Sequence, residues 1–235
     1  MKNLAIIPAR SGSKGLKDKN IKRMNGKPLM AYTIAAAAGS GKFDEIMVST
    51  DSEIYAEIAR QYGAKVPFLR DVSNATDAAS SWDVVEEVLE EYRKRNMTFD
   101  SFCLLQPTSP LRTSGDISMA YQLFEEKASV AVVSICEAEH SPLWSGKLDP
   151  YHSLDGFIPK ENMNNRQKGG RFYRINGALY ILKTSEFFKD RYLYRDGSYA
   201  YVMPAERSID IDTEMDFKIA EFLMKTGGEL KQHHV

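Results

Sequence analysis

A regular alternation of short apolar runs with helical patterns, over the first 136 residues, constrains this chain most strongly. The apolar runs suit strands covered on both faces, and capping residues mark helices between them. The expected strands are Leu4–Pro8, Glu45–Ser49, Lys65–Leu69, Phe102–Gln106 and Val130–Cys136. The expected helices span about 29–38, 52–62, 80–95 and 113–127. This alternation predicts βαβ units, and hence an α/β fold with a mostly parallel sheet and helices on both faces.

The alternation breaks between about residues 137 and 174, where prolines and glycines interrupt a polar stretch without helical spacing. We interpret this stretch as a small inserted subdomain, β-rich or irregular. The pattern resumes with an apolar strand at Ala178–Leu182 and a last helix from Thr213 to about Lys225. One main α/β domain, made of 1–136 and 175–235, is therefore expected around the insertion.

The charge balance excludes one class of partner. The 235 residues carry 31 Lys and Arg against 32 Asp and Glu, which gives a net charge of −1. A near-neutral chain argues against binding to a nucleic acid polymer.

Both cysteines, Cys103 and Cys136, fall in apolar runs, which indicates buried thiols in a reducing compartment. Because no stretch is long and apolar enough to cross a bilayer, we expect a cytoplasmic protein that does not bind membranes.

A basic loop follows the first expected strand. Seven basic residues and one acid lie between Arg10 and Lys27, a strong local enrichment in a nearly neutral chain. Ligands bind parallel sheets beyond the carboxyl ends of the strands, and glycines let backbone N–H groups approach phosphate oxygens. The loop matches neither the P-loop nor the dinucleotide fingerprint. We interpret it as a polyphosphate site, with a solvated basic turn as the alternative.

Two aspartates, Asp210 and Asp212, precede the last helix. In an extended segment their side chains share one face, because successive side chains alternate. Such a pair suits Mg²⁺, which prefers a few carboxylates together with phosphate oxygens and water. The alternative is helix capping by Asp212 or Thr213 with Asp216, and the two interpretations are compatible.

In the segment Leu104–Arg112, the buried strand expected at Phe102–Gln106 ends in a polar loop stiffened by prolines. Gln106 offers an amide donor and an amide acceptor at the expected ligand-binding edge, which suits a base or a sugar. On its own, the segment is also explained by an ordinary turn between a strand and a helix.

Four motifs together resemble the acylneuraminate cytidylyltransferase family, the CMP-sialic acid synthetases and their legionaminic and pseudaminic acid types. They are P-A-R-x-x-S-K-G-L-x-x-K-N at 8–20, L-Q-P-T-S-P-L-R at 105–112, R-x-N-G-A-x-Y at 174–180 and S-I-D-I-D-T-E-x-D at 208–216. They follow the family's order and span nearly the whole chain. One departure is Lys17, where the family often has a proline that would stiffen the loop.

The resemblance implies a Rossmann-like α/β fold of the nucleotide-diphospho-sugar transferase type. It implies a nucleotidyltransferase that moves CMP from CTP to the anomeric hydroxyl of a nine-carbon 2-keto sugar acid, a nonulosonic acid, and releases pyrophosphate. The main domain would bind the nucleotide. The family also implies a homodimer, in which the insertion at 137–174 serves dimerisation and helps to complete the partner's sugar pocket. Mg²⁺ or another divalent cation would be the cofactor.

The resemblance also assigns roles to single residues. Those matched to nucleotide binding are Arg10, Lys14, Lys19, Asn20, Arg70, Ser81 and Gln106. Gln106 would lie between nucleotide and sugar, and Arg166 and Gln167 would hold the sugar. Asp210 and Asp212 match the metal ligands. The residues expected to act on the reaction itself are Arg10, Lys19 and Asp212. No histidine lies in the matched motifs, so no histidine base is expected.

Two alternatives remain. A cytidylyltransferase for the eight-carbon sugar Kdo has a related P-A-R opening, but that family continues with Ser-Thr-Arg-Leu-Pro, unlike Ser13–Leu16 here. A non-enzymatic nucleotide-sensing or RNA-binding module would use the basic loop without requiring Asp210 and Asp212, and no aromatic residues interleave with that loop. The motifs leave open which nonulosonic acid is used, because its pocket is expected largely in the insertion.

Overall fold

The computed structural model describes residues 1–12, 15–75, 80–160 and 170–226. Its strands are β1 (Asn3–Pro8), β2 (Arg23–Met24), β3 (Lys27–Pro28), β4 (Glu45–Ser49), β5 (Ser101–Leu104), β6 (Ala131–Glu137), β7 (Tyr173–Lys183) and β8 (Ser198–Val202). Six of them form one sheet in the order β4-β1-β5-β7-β6-β8, and β2 and β3 form a small hairpin. Within the six-stranded sheet, β7 runs antiparallel to the other five strands. The expected mostly parallel sheet is confirmed.

Helices cover both faces of the sheet. They are α1 (Leu29–Ser40), α2 (Glu53–Gln61), α3 (Ser81–Lys94), α4 (Ser114–Glu126), α5 (Thr184–Phe187) and α6 (Glu214–Thr226). Ala5 and Ile7 of β1 pack with residues of α1, α2 and α4, whereas Leu4 and Ile6 pack with residues of α3 and α5. All four side chains are fully buried, which explains why this strand reads as a continuous apolar run.

Side-chain caps fix where the helices begin. Ser80 and Asp83 form a capping box at the start of α3, and Thr113 and Asp116 form another at the start of α4. Ser52 caps α2 by accepting from a backbone N–H in its first turn. Each box satisfies backbone N–H groups that have no partner inside the helix. The helix starts expected from the sequence are therefore confirmed.

The antiparallel strand β7 extends beyond the carboxyl end of its neighbour β5. Leu104 pairs with Tyr180, so residues 176–178 of β7 run past the carboxyl end of β5, next to Gln106. Asn176 is held there by its side chain, whose Oδ1 accepts from Ser134 Oγ at 2.6 Å. The R-x-N-G-A-x-Y motif thus lies at the ligand-binding edge of the sheet.

Two expected strands differ from the structure. Lys65–Leu69 is not a strand: Lys65 makes one isolated parallel bridge with Met47. Pro67 has no N–H group to donate to a ladder, which accounts for the short pairing. The strand expected to reach Gln106 ends at Leu104, so Gln106 lies in the following turn.

The strand β8, near the end of the chain, was not predicted from the sequence. β8 pairs with β6 as a parallel edge strand. The sheet also reaches into the ends of the predicted insertion, because Cys136 pairs with Arg174 and Glu137 with Tyr173. Residues 138–160 are largely irregular, with a short 3₁₀ helix at Pro142–Trp144. In the described part of the chain, no helix has the length and apolar character needed to span a membrane.

Candidate active site

The loop after β1 meets the end of β4 at the carboxyl edge of the sheet. Ser11 donates from its backbone N to Oδ1 of Asp51 at 2.8 Å and from its Oγ to Oδ2 at 2.6 Å. Asn20 is buried and donates from Nδ2 to the carbonyl of Arg10 at 3.0 Å. These bonds hold the basic loop, with Arg10 and Asn20, where the sequence places a polyphosphate. Lys14 lies outside the described residues.

Arg70 brings a buried cation to the same edge. Its Nε donates to Ser49 Oγ at 3.0 Å and its Nη2 to the Ser49 carbonyl at 2.6 Å. Burial lowers the pKa of Arg70 to about 10, and the charge of Asp51 opposes that shift. Burial would raise the pKa of Asp51, but hydrogen bonds from Ser11 and the charge of Arg70 hold that pKa below its ordinary value. At neutral pH both Arg70 and Asp51 therefore remain charged at this edge.

Lys19 links the basic loop to the aspartate segment, 192 residues away in the sequence. Its Nζ donates to the carbonyl of Ile211 and lies 3.1 Å from Oδ1 of Asp212. The loop approaches so closely that a Cβ added to Gly15 would stand 2.9 Å from the carbonyl oxygen of Asp212. The first and last motifs of the sequence thus meet in one place.

Asp210 is the more enclosed of the two aspartates. Its Oδ1 is buried and finds no hydrogen-bond partner among the described residues. Burial raises the pKa of Asp210, the charge of Asp212 adds to the shift, and a hydrogen bond from Thr108 and the charge of Lys19 oppose it. The side chain of Asp212 is 78% exposed. A buried carboxylate oxygen without a partner is a suitable ligand for a cation.

Helix capping at the start of α6 uses other residues. Oδ2 of Asp216 accepts from N and from Oγ1 of Thr213, both at 2.8 Å, and Thr213 Oγ1 accepts from N of Asp216 at 3.2 Å. Ile211 is fully buried in a cluster with Phe217, so the segment is anchored by its apolar face. Capping therefore leaves the side chains of Asp210 and Asp212 for the site.

Gly177 brings Gln106 next to Asp210. Its φ is +74°, a left-handed conformation that side chains disfavour. A Cβ at this position would stand 2.6 Å from Oε1 of Gln106 and 3.6 Å from Oδ2 of Asp210. Glycine is thus required by both the backbone and the space.

Arg112 is a buried residue that the sequence analysis did not single out. Its Nη1 donates to the carbonyl of Ala178 at 2.7 Å and to the carbonyl of Gln106 at 3.2 Å, and its Nη2 donates to Thr33 Oγ1 at 2.7 Å. Burial lowers its pKa to about 10. Arg112 therefore ties the turn that carries Gln106 to β7. The sequence feature that could have pointed to Arg112 is its position as the last residue of the L-Q-P-T-S-P-L-R motif.

A cavity of about 350 Å³ opens beside Gln106. Ser81, the first residue of α3 and a nucleotide contact in the resemblance, also lines it. The aromatic residues that line it are Trp82, Tyr180, Tyr192 and Tyr194. Burial raises the pKa of Tyr180 to about 12, so its hydroxyl remains a donor at neutral pH. The sequence analysis missed these four aromatics because they come from three separate elements. Arg166 and Gln167 lie outside the described residues.

The described residues contain no group of three or more His, Cys, Asp or Glu side chains placed to hold a metal ion. Asp210 and Asp212 are thus a two-carboxylate pair beside a cationic loop. Such a pair fits Mg²⁺ held partly by a bound phosphate, because that ion takes few protein ligands and keeps water or substrate oxygens.

Sequence relatives identify the family. The profile of the cytidylyltransferase family matches residues 4–225. The chain is 35% identical to the pseudaminic acid cytidylyltransferase of Campylobacter jejuni, over 97% of this chain and 99% of that protein. It is 36% identical to the CMP-N,N'-diacetyllegionaminic acid synthase of Legionella pneumophila, over 97% and 99%. It is 41% identical to the N-acylneuraminate cytidylyltransferase of Escherichia coli over 93% of its length, which is 51% of that longer protein.

Solved structures share the fold at low sequence identity. A CMP:2-keto-3-deoxy-manno-octonic acid synthetase complexed with CTP superposes with a TM-score of 0.73 at 18% identity, over 97% of this chain and 100% of that one. The 4-diphosphocytidyl-2C-methyl-D-erythritol synthase of Anaerococcus prevotii gives a TM-score of 0.65 at 14% identity, over 95% and 98%. Because the family profile and the full-length relatives span nearly all of the sequence, the chain belongs to the cytidylyltransferase family.

Proposed function

We propose that this chain transfers CMP from CTP to the anomeric hydroxyl of a nonulosonic acid and releases pyrophosphate. Its relatives are named for pseudaminic, legionaminic and N-acylneuraminic acids, which are all nine-carbon 2-keto sugar acids. The observation that carries the proposal is the position of Gln106 and Asp210 around Gly177, between the Lys19 loop and the aromatic cavity. A polyanion site thus adjoins a space of a size suited to a sugar.

The cationic side of the edge suits the triphosphate. In the proposed reaction the anomeric oxygen bonds to the α-phosphorus while the bond to the departing pyrophosphate oxygen breaks. Such transfers depend mainly on positioning and on neutralising charge. Arg10 and Lys19 would neutralise charge on the departing pyrophosphate. Arg70 adds a buried positive charge nearby, and Asn20 holds the loop that carries Arg10.

The cavity side suits the sugar. Gln106 lies on the boundary, where its amide could contact both substrates. The tyrosine hydroxyls and the serines of the cavity offer hydrogen bonds, and the ring faces offer apolar area for N-acyl groups. Arg166 and Gln167 remain expected sugar contacts from the resemblance.

Asp210 and Asp212 would hold Mg²⁺, and the buried, unpartnered Oδ1 of Asp210 fits that role. When bound, the ion would neutralise phosphate charge and polarise the reacting oxygens. Lys19 would orient the pair, since it contacts Asp212 and the carbonyl of Ile211 between the two aspartates.

The homodimer, the dimerising role of 137–174 and the cytoplasmic location belong to the same proposal. Large apolar side chains of the insertion are exposed, as a surface covered by a second copy would require: Trp144, Leu148, Tyr151 and Leu154. The two cysteines are buried thiols, which agrees with a reducing compartment.

A direct experiment is a substrate panel. Purified protein, Mg²⁺ and CTP are incubated with pseudaminic, legionaminic or N-acetylneuraminic acid, and pyrophosphate is followed. We expect release only when one of these acids is present, with CTP preferred over ATP, GTP and UTP. Relative turnover then identifies the sugar. Pyrophosphate release with Kdo alone would contradict the proposal and favour the eight-carbon alternative.

A glycine substitution tests how Gln106 is placed. We expect Gly177→Ala to lower kcat/KM by about 10–100-fold, because the new methyl group would displace the Gln106 amide and strain the backbone. Gly63→Ala is the matched control: its φ is +92°, but nothing lies within 4 Å of the added Cβ. Both variants are compared by steady-state kinetics and thermal denaturation. Equal kinetic losses in the two variants would show that strain alone, and not the amide, is responsible.

A further inference from the structure

One wall of the aromatic cavity comes from the segment between α5 and β8. Tyr192, Leu193 and Tyr194 of this segment face Ser81 and Trp82, which belong to the first turn of α3. No ladder hydrogen bonds hold the segment, because it lies outside the sheet strands. The position of this wall therefore depends on side-chain contacts, namely those of the buried Leu193 with the core and those of the segment with α3.

Arg191 makes that connection. Its Nη1 donates to Oδ1 of Asp83 at 2.8 Å, and its Nη2 forms an ion pair with Glu86, one helical turn further along α3. Its guanidinium also lies 5.5 Å from the ring centroid of Phe187, a fully buried core residue. An arginine with two carboxylates and a ring face is held in one orientation.

A second set of hydrogen bonds fixes the side chain of Asp83. Its Oδ2 accepts from the backbone N of Ser80 at 3.1 Å and from Ser80 Oγ at 2.8 Å, which closes the capping box of α3. Its other oxygen, Oδ1, is the one that receives Arg191. The start of α3 and the opposite wall are thus joined through one carboxylate.

We propose that Arg191 is a positioning residue for the sugar half of the site, which holds the Tyr192–Tyr194 wall at its distance from α3. The inference rests on the proposed function for the identity of the ligand. Arg191 itself lines the cavity, but its charge is already paired with Asp83 and Glu86, so we assign it a positioning role and no charge contact with the ligand. Its loss would loosen one wall of the sugar site and leave Arg10, Lys19 and Arg70 in place, because none of these three lines the cavity.

The kinetic test uses Arg191→Gln. We expect the KM for the sugar acid to rise about tenfold, with kcat and the KM for CTP within about twofold of wild type. Arg191→Lys, which keeps the charge but not the fork, should recover part of the loss. Glu86→Gln, which spares the capping box, should give a smaller rise of the same kind. An unchanged sugar KM, or an equal rise in both KM values, would overturn the inference.

Arg95→Gln is the matched control. Arg95 follows the other end of α3, pairs with Glu91, lies 4.7 Å from the ring centroid of Phe68, and is 40% exposed against 38% for Arg191. It does not line the cavity. We expect Arg95→Gln to leave both KM values unchanged. A sugar KM raised equally in this variant would show a general effect of damaging α3.

A second readout does not need turnover. Trp82 packs against Tyr180 and Phe187, with centroid distances of 5.6 and 6.1 Å, and the chain holds one other tryptophan, Trp144. In a Trp144→Phe background, Arg191→Gln should make the fluorescence of Trp82 more accessible to acrylamide, and Arg95→Gln should not. Unchanged quenching would overturn the inference even if no sugar acid proved to be a substrate, whereas a failed substrate panel alone would count only against the proposed function.

Discussion

We expect Asp210→Asn to lower kcat by about 10²–10³-fold and, without divalent cations, to raise the melting temperature. Oδ1 of Asp210 is buried and lacks a hydrogen-bond partner within the described ranges. Burial makes the ionised form costly, and an amide carries no charge. A gain of about 1 kcal/mol would raise the melting temperature by about 2–4 °C in a chain of this size. Scanning calorimetry and steady-state kinetics measure the two effects.

The stability gain should depend on pH with a definite sign. The pKa of Asp210 is raised in the folded state, so the native protein binds this proton more tightly than the unfolded chain does. The ionised Asp210 carboxylate therefore destabilises the folded wild-type protein most at pH values above the raised pKa. This destabilisation disappears as the pH falls below the pKa and the carboxylate is protonated. We expect the difference in melting temperature between Asp210→Asn and wild type to be largest near neutral pH and to shrink towards about pH 4.

Asp212→Asn is the matched control for this effect. Its side chain is 78% exposed and pairs with Lys19, so it should lose activity without gaining stability. A melting temperature of Asp210→Asn at or below that of wild type near neutral pH would contradict the account of Asp210. So would full Mg²⁺-dependent turnover in that variant.

Lys19→Gln should lower kcat by about 100-fold, with a smaller change in the KM for CTP. The Nζ of Lys19 is already held by Asp212 and by the Ile211 carbonyl, so its charge is in place before substrate binds. A preorganised charge of this kind acts most strongly where charge develops, on the departing pyrophosphate. Steady-state kinetics with varied CTP measures the change.

Lys65→Gln controls for the loss of a lysine ion pair. Lys65 pairs with the buried Glu45 at 2.7 Å. Glu45 begins β4, so this pair lies at the end of the strands opposite to the basic loop, and we expect Lys65→Gln to leave turnover unchanged. If Lys19→Gln lowered kcat no more than Lys65→Gln, the role of Lys19 in neutralising pyrophosphate would be wrong.

The sequence predicts the parallel half of the sheet well because the signals there are local. Leu4–Pro8 is apolar at nearly every position because helices bury both of its faces, and capping residues such as Ser80 and Thr113 mark the helix starts. β8, in contrast, was not predicted from the sequence. It lies at the sheet edge, where Tyr199 and Val202 are exposed, and its short run of Tyr, Ala and Val was not recognised as a strand in the sequence.

Several residues of the candidate site could be predicted from the sequence, whereas their arrangement in space could not. Lys19, Asp210 and Gln106 could be named from their motifs, but the position of Gln106 and Asp210 around Gly177 could not be derived from local pattern. It depends on β7 entering the sheet antiparallel between β5 and β6, which places Gly177 beside Gln106. The buried partners of Arg112 depend on the same pairing. Non-local pairing of this kind is set by the whole fold and leaves no periodic signal in the sequence.

The proposed reaction requires the anomeric oxygen of the sugar to attack the α-phosphorus of CTP. The most direct measurement uses a nonulosonic acid labelled with ¹⁸O at the anomeric hydroxyl, with short reaction times and mass spectrometry of the products. We expect the CMP-sugar to retain the label in its bridging oxygen and the pyrophosphate to be unlabelled. A CMP-sugar without the label, with the ¹⁸O released to water, would mean that the bond to the sugar carbon breaks, and would rule out attack by the anomeric oxygen on the α-phosphorus.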